Sequence, residues 1–172
     1  PGALAAAAGV LALHSLEVHA AELPSAGQAA VFTFTVSPRF GGLPDPALLR
    51  SDLMRVLDGS LALSEALARK ERDYAPIRPS GEPPAPPRVL WFDDEATGAV
   101  VLELRGTDRI GLLHRVAAAL EECGADLRWA RVATLGASVV DSFCLAGAGG
   151  AGGALNKAER RRLERAVLAA AA

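Results

Sequence analysis

The sequence predicts an α+β fold made of two copies of one β-α-β-β-α unit, the first copy lacking its leading strand. Three observations predict it. Residues 1–36 align without a gap on residues 110–145 at a shift of 109 positions. Gly2 then falls on Gly111, Leu4 on Leu113, Leu11 on Leu120, Ala21 on Ala130, Gly27 on Gly136 and Phe34 on Phe143. The matched residues are turn glycines and apolar residues at helix and strand spacing, which two copies of one supersecondary unit explain better than chance. Within each copy the apolar period switches from that of a helix to that of a strand. Finally, residues 75–87 hold six prolines and one glycine, the composition of an extended linker. The expected division is a truncated first unit with a connecting helix over 1–74, the linker over 75–87, and a second unit over 88–172.

The first copy opens with an apolar run over 3–13. It lacks the basic flank of a signal peptide and is too short to span a bilayer, so it reads as a buried helix. Pro1 cannot be an initiator, and the chain is expected to begin mid-protein or after processing. A hairpin follows over 16–23 and 29–36. Asp45 then caps a helix with Pro46 at its first position, and Leu48, Leu49, Leu53, Val56 and Leu57 form its apolar stripe. Asp58-Gly59-Ser60 breaks it, and a further helix runs over 61–72.

In the second copy, Val100, Leu102 and Leu104 share one face of a strand over 99–105. A helix follows with Leu112, Leu113, Val116, Leu120 and Cys123 on one stripe. Asp108 or Thr107 is expected to cap it, and Gly124 to close it. Strands over 127–134 and 139–145 flank a Leu135-Gly136-Ala137-Ser138 turn. Asn156 with Glu159 opens the last helix as a capping box. A ferredoxin-like (split βαβ) sheet needs a fourth strand beside the first. Residues 88–92, folded back through Asp93–Gly98, are expected to fill that edge as a permuted strand. The first copy's missing strand is a central one, so its hairpin is expected to be unstable alone or to borrow a strand.

The chain has 172 residues, 51% of them hydrophobic, enough for one compact core or two small ones. A net charge of −2 and a pI near 5.9 argue against a basic surface for nucleic acid or membrane. With no segment long enough to cross a bilayer, a soluble, cytoplasmic protein is expected. Cys123 and Cys144 have neither CxxC spacing nor clustered histidines and read as reduced thiols packed as small hydrophobes. His14, His19 and His114 are not at ligand spacing, and no metal is expected. Asp93-Asp94-Glu95 reads as a solvated turn, and Arg160, Arg161, Arg162 and Arg165 as a solvated helix face. The glycine-rich residues 147–153 are not followed by Gly-Lys-Ser/Thr and form no P-loop. A ferredoxin-like phosphatase needs a nucleophile or base beside a phosphate cradle, and no such set converges. An RNA-binding sheet stacks bases on central-strand aromatics, and residues 100–105 contain none.

Asp108-Arg109-Ile110-Gly111-Leu112-Leu113, between a strand and a helix, resembles the D-R-P-G-L-L turn of ACT domains. Ile110 replaces the usual proline, which Pro1-Gly2 retains in the first copy. Trp129-Ala130-Arg131-Val132-Ala133-Thr134-Leu135-Gly136, followed by Val140-Asp141-Ser142-Phe143, is similar to the A-x-I-x-T-x-G…V-D-x-F hairpin of one family. That family is the bifunctional PII uridylyltransferase/uridylyl-removing enzyme, the nitrogen sensor GlnD. Val36-Ser37-Pro38-Arg39-Phe40-Gly41 and Lys70-Glu71-Arg72 look like its actinobacterial branch. The resemblance implies two tandem ferredoxin-like ACT modules that pair with each other and take glutamine as effector. It also implies a PII protein as the parent's partner, and nucleotidyltransferase and HD hydrolase domains upstream. Magnesium is expected for those domains and no cofactor for this chain. An ACT pair serving a different amino-acid-regulated enzyme is the other reading.

A free amino acid carries an ammonium and a carboxylate, so its sensor must offer acceptors and donors together. The loop Thr107, Asp108, Arg109, Ile110, Gly111, Leu112 and Leu113 can do both, because a helix N-terminus presents unpaired amides and a positive dipole end. Gly111 allows close approach of a ligand or a neighbouring chain. Asp108 either caps the helix or meets the ammonium; Arg109 either reaches the carboxylate or is solvated. Pro1 and Gly2 are the first copy's counterparts, and Ala130, Arg131 and Val132 are second-rank candidates at an interface between units.

Overall fold

The computed structural model describes residues 2–23, 31–74, 85–94, 99–146 and 155–172. The elements run α1 (Ala3–Leu13), β1 (Leu16–Glu22), β2 (Thr33–Pro38), α2 (Pro46–Leu57), α3 (Leu63–Asp73), β3 (Arg88–Asp94), β4 (Ala99–Thr107), α4 (Leu112–Glu122), β5 (Asp126–Leu135), β6 (Ser138–Ala146) and α5 (Lys157–Ala171). The fold is α+β. All six strands join one antiparallel sheet in the order β2-β1-β5-β6-β4-β3.

The second half supplies a ferredoxin-like arrangement. β4 lies between β6 and β3, and β3 pairs along its whole length with β4, from Arg88 opposite Arg105 to Asp94 opposite Ala99. The first half contributes the β1–β2 hairpin, which docks on the second through β1 and β5. Ala21 stands opposite Ala130, Ala20 opposite Arg131 and Glu22 opposite Trp129. Those three pairs are symmetric under the 109-residue shift, so a pseudo-twofold axis passes between Ala21 and Ala130. The helix layer repeats the relation: Ala5 and His114 are also equivalent by the shift, and His114 Nδ1 lies 2.7 Å from the Ala5 carbonyl. His114 is therefore a buried link between α1 and α4.

One face of the sheet carries the main core. Val100, Leu102 and Leu104 of β4 and Val139, Phe143 and Leu145 of β6 pack under Leu112, Val116 and Leu120 of α4 and Leu163 and Val167 of α5. Leu4, Ala5 and Ala21 of the first half belong to this same core. A smaller cluster joins Ala6 and Val10 of α1 to Val56 of α2 and Leu63 and Leu67 of α3. Gly9 allows that packing, since a Cβ there would come within 2.5 Å of Leu63 and 2.9 Å of the His114 ring.

Several expectations are corrected. β2 begins at Thr33, and Val31 is exposed. Of the expected stripe of α2, Val56 is buried and Leu49 and Leu53 pack partly buried against the smaller cluster, while Leu48 and Leu57 lie exposed; Leu49 also lines an apolar groove with Leu11, Leu16, Phe34, Val36 and Leu43. α3 starts at Leu63, because the Leu61 amide turns back to the Arg55 carbonyl. Asp93 belongs to β3 and pairs with Arg160, whose guanidinium also lies over the Trp91 ring, 5.4 Å from its centre. Arg160 is thus held against the sheet edge rather than on a free helix face, while the Asp93 side chain stays exposed. Most of the linker, the residues after Asp94 in the expected turn, and residues 147–153 lie outside the described residues.

Candidate functional site

The loop between β4 and α4 is held from both sides. The Asp108 amide donates to the Ala137 carbonyl in the β5–β6 turn (2.9 Å). Gly111 is the residue before α4 and adopts the left-handed conformation (φ 75°), with Leu67 of α3 packed where a Cβ would stand. Only glycine takes that conformation without strain. Neither Asp108 nor Thr107 caps α4, contrary to the sequence expectation: the turn is closed by the Leu112 amide on the Arg109 carbonyl. With no side chain on its end, α4 leaves the Leu113 amide among those without an intrahelical partner.

This helix end opens on a cavity of about 390 Å³ between the two halves, at the lower end of the roughly 300–1,000 Å³ of small-ligand sites. Its wall comes from α1 and β1 of the first half, the Asp108–Leu113 loop, and β5 and β6 of the second. Of the sequence-predicted residues, Asp108, Arg109, Ile110, Gly111, Leu112, Leu113 and Val132 line it. Thr107 ends β4 opposite Ser138. Ala130 is buried on the pseudo-twofold axis. Arg131 is exposed, its guanidinium 5.7 Å from the centre of the Trp129 ring. Gly2 precedes α1 on the other side of that axis, and Pro1 lies outside the described residues. The Arg109 guanidinium is taken up by Glu71 (2.7 Å) and by the Ala172 carbonyl, so its charge is spent outside the cavity.

Four charged residues outside the predicted set also line it: Glu17, Arg39, Lys70 and Asp141. Asp141, on β6, is 1% exposed, and its Oδ1 has no hydrogen-bond partner. Burial raises its carboxyl to about 7, and the negative charge of Asp108 adds to the rise. Lys70, from α3, donates to the carbonyls of Ala12 (3.0 Å) and Leu13 (2.6 Å) and to Ser15 Oγ (2.6 Å), capping the end of α1. Burial lowers its pKa, and Arg39 adds to that. Arg39, just after β2, bridges the halves: it donates to Glu17 (3.0 Å) and to Asp108 (2.7 Å). The cavity thus brings together the buried carboxyl of Asp141, the half-buried carboxylates of Asp108 and Glu17, the positive charges of Lys70 and Arg39, and a helix N-terminus. Among the described residues no group of His, Cys, Asp and Glu could hold a metal, and no helix is long and apolar enough to cross a membrane.

The curated relatives that this chain matches share one description. Over 149 residues, 83% of this chain, it is 44% identical to the bifunctional uridylyltransferase/uridylyl-removing enzyme of Streptomyces coelicolor. It is 37% identical over 84% of the chain to that of Mycobacterium tuberculosis, and 32% identical over 83% to that of Rhodospirillum rubrum. The chain belongs to the bifunctional uridylyltransferase/uridylyl-removing enzyme family. It spans less than a fifth of the length of these relatives, 16% to 19%. No family model matches it, and no solved structure does.

Proposed function

We propose that this chain is an effector-sensing region, an ACT pair, of a bifunctional uridylyltransferase/uridylyl-removing enzyme, and that the inter-half cavity binds a free amino acid, glutamine in first place. The observation that carries the reading is Asp141. A carboxylate oxygen withdrawn from water without a partner, as Oδ1 is, is costly, and an incoming ammonium both pairs with it and relieves the repulsion from Asp108. The ligand carboxylate has donors in the Leu113 amide at the α4 N-terminus and in the Arg39 N–H groups that Glu17 and Asp108 leave free, and the positive charge of Lys70 stands nearby. The cavity lies between the halves, so its occupancy changes how they pack, and through them the parent's balance between uridylylating PII and removing the group.

Isothermal titration of the chain with L-glutamine, L-glutamate and L-serine tests this. Glutamine is expected to bind at least about tenfold more tightly than the others, a difference of ~1.4 kcal/mol. Asp141→Asn is expected to weaken it by a further factor of about ten to a hundred, as a charge-assisted hydrogen bond is lost. Equal weak heats for all three amino acids would remove the glutamine assignment, and a wild-type affinity in Asp141→Asn would remove the role of Asp141.

A further inference from the structure

The pseudo-twofold axis gives the cavity a mate. Under the 109-residue shift, Gly111 and Leu113 at the start of α4 correspond to Gly2 and Leu4 at the start of α1, and Ala12, which lines the cavity, corresponds to Glu121. The strand pairing of Ala21 with Ala130 and the contact of Ala5 with His114 show that this correspondence holds in space as well as in sequence.

At the mate position the structure holds a carboxylate. Glu121 of α4 reaches the α1 N-terminus, where its Oε1 accepts the Leu4 amide at 3.2 Å. Gly2 makes room for it, since a Cβ there would collide with all three carboxylate atoms. The other oxygen, Oε2, is buried without a partner. A carboxylate at an N-terminal helix end is electrostatically placed. The counterpart in the cavity is Ala12, a single methyl, and the counterpart of Asp141 at the mate position is Phe32. One side has the acid for an ammonium and an empty carboxylate seat. The other has an apolar residue in place of the acid and a seat filled by the chain itself.

We propose that Glu121 is a built-in carboxylate that closes the twofold mate of the cavity, so that the two units form one open amino-acid site. In that open site the ligand's carboxylate stands on the Leu113 amide, in the space that Ala12 leaves. The inference rests on the amino-acid reading of the cavity for the open side and on the Glu121 geometry alone for the closed side. The pair is therefore built as a one-ligand sensor. Its unliganded state has one helix end neutralised and the other bare, and ligand binding brings the two ends to the same electrostatic condition.

Three measurements on the full chain test it. Titration with L-glutamine should give one ligand per chain, and two would overturn the closed side. Ala12→Glu should place a carboxylate on the Leu113 amide. It should abolish glutamine binding and raise the ligand-free melting temperature towards that of glutamine-saturated wild type, whereas wild-type binding by this variant would overturn the seat. Should Ala12→Glu not fold, Glu121→Ala decides, because it vacates the closed seat. Formate should then raise its melting temperature by about 4 °C or more beyond any effect on wild type, and equal shifts in both proteins would overturn the proposal. If wild type binds no amino acid but formate rescues Glu121→Ala, the amino-acid reading fails while the Glu121 seat stands.

Discussion

Asp141 stores free energy that depends on pH. Its folded carboxyl titrates at about 7 because it is buried and faces Asp108, whereas an unfolded aspartate titrates near 3.9. Between these values the folded chain holds a proton that the unfolded chain has released. The contribution of Asp141 to stability is therefore fully present below about pH 4 and is lost as pH rises towards 7, by up to about 4 kcal/mol. Asp141→Asn should flatten this part of the stability–pH profile in urea denaturation and should be more stable than wild type at pH 8. An unchanged profile would mean that the carboxyl is solvated or paired in solution. Ligand binding should couple to the same proton: an ammonium favours ionised Asp141, so glutamine affinity should rise from pH 5.5 to 7.5, with proton release visible as a buffer-dependent binding heat. A pH-independent affinity would show that the ammonium sits elsewhere. The loop half of this site was legible in the sequence, because a D-x-x-G-L-L turn between a strand and a helix is a local pattern. Asp141, Arg39 and Lys70 stand in segments that carry the family resemblance, and nothing in their own spacing marks them as site residues. No local rule brings a β6 residue, a residue after β2 and an α3 residue to one cavity; only the sheet order does.

At the level of elements, the sequence makes a cap plain where it is a side chain and hides it where it is a backbone conformation. Asn156 accepts from the Ala158 and Glu159 amides while Glu159 accepts from the Asn156 amide, as a capping box should. Asp45 accepts from the Ala47 amide ahead of Pro46. At α4 the sequence offers Asp108 as an equally plausible cap, and the chain instead turns at Gly111, leaving Asp108 to Arg39. The apolar spacing of α2 reads as one core stripe, but Leu49, Leu53 and Val56 face the smaller cluster while Leu48 and Leu57 lie exposed. Helix α1 was read at its full extent, and its consequence is a tight crossing with α4. A methyl at Gly9 would press on the His114 ring, which the Ala5 carbonyl holds in place. Gly9→Ala should therefore destabilise the chain by about 1–3 kcal/mol, as overpacking does, despite the better helix propensity of alanine. A neutral or stabilising effect in chemical denaturation would show that the crossing is looser than this packing.

The whole molecule is held together across the boundary that the prolines mark. The repeat predicted two units, and the structure joins them into one sheet and one main core. The first hairpin needs a strand beside it, and the strand it takes is β5, on the β1 side; β2 has no partner on its outer side among the described residues. Leu4, Ala5 and Ala21 are each at most 3% exposed, and all three are covered in part by the second half. Alone, residues 1–74 would expose both flanks of a two-stranded ribbon, which is marginal in water, together with the apolar face of α1. The second half keeps β3, β4, β6 and β5 with α4 and α5 over them, which is a complete sheet with its own core. Circular dichroism should therefore find a cooperative thermal transition for residues 88–172 and none for residues 1–74. Mixing the two pieces should restore the α1–α4 and β1–β5 contacts and raise the melting temperature of the larger piece, by several degrees if docking contributes even about 1 kcal/mol. A cooperative, monomeric melt of residues 1–74 would show that the first half folds without its neighbour. In that case the cavity between the halves would be an interface of two independent domains rather than a seam within one.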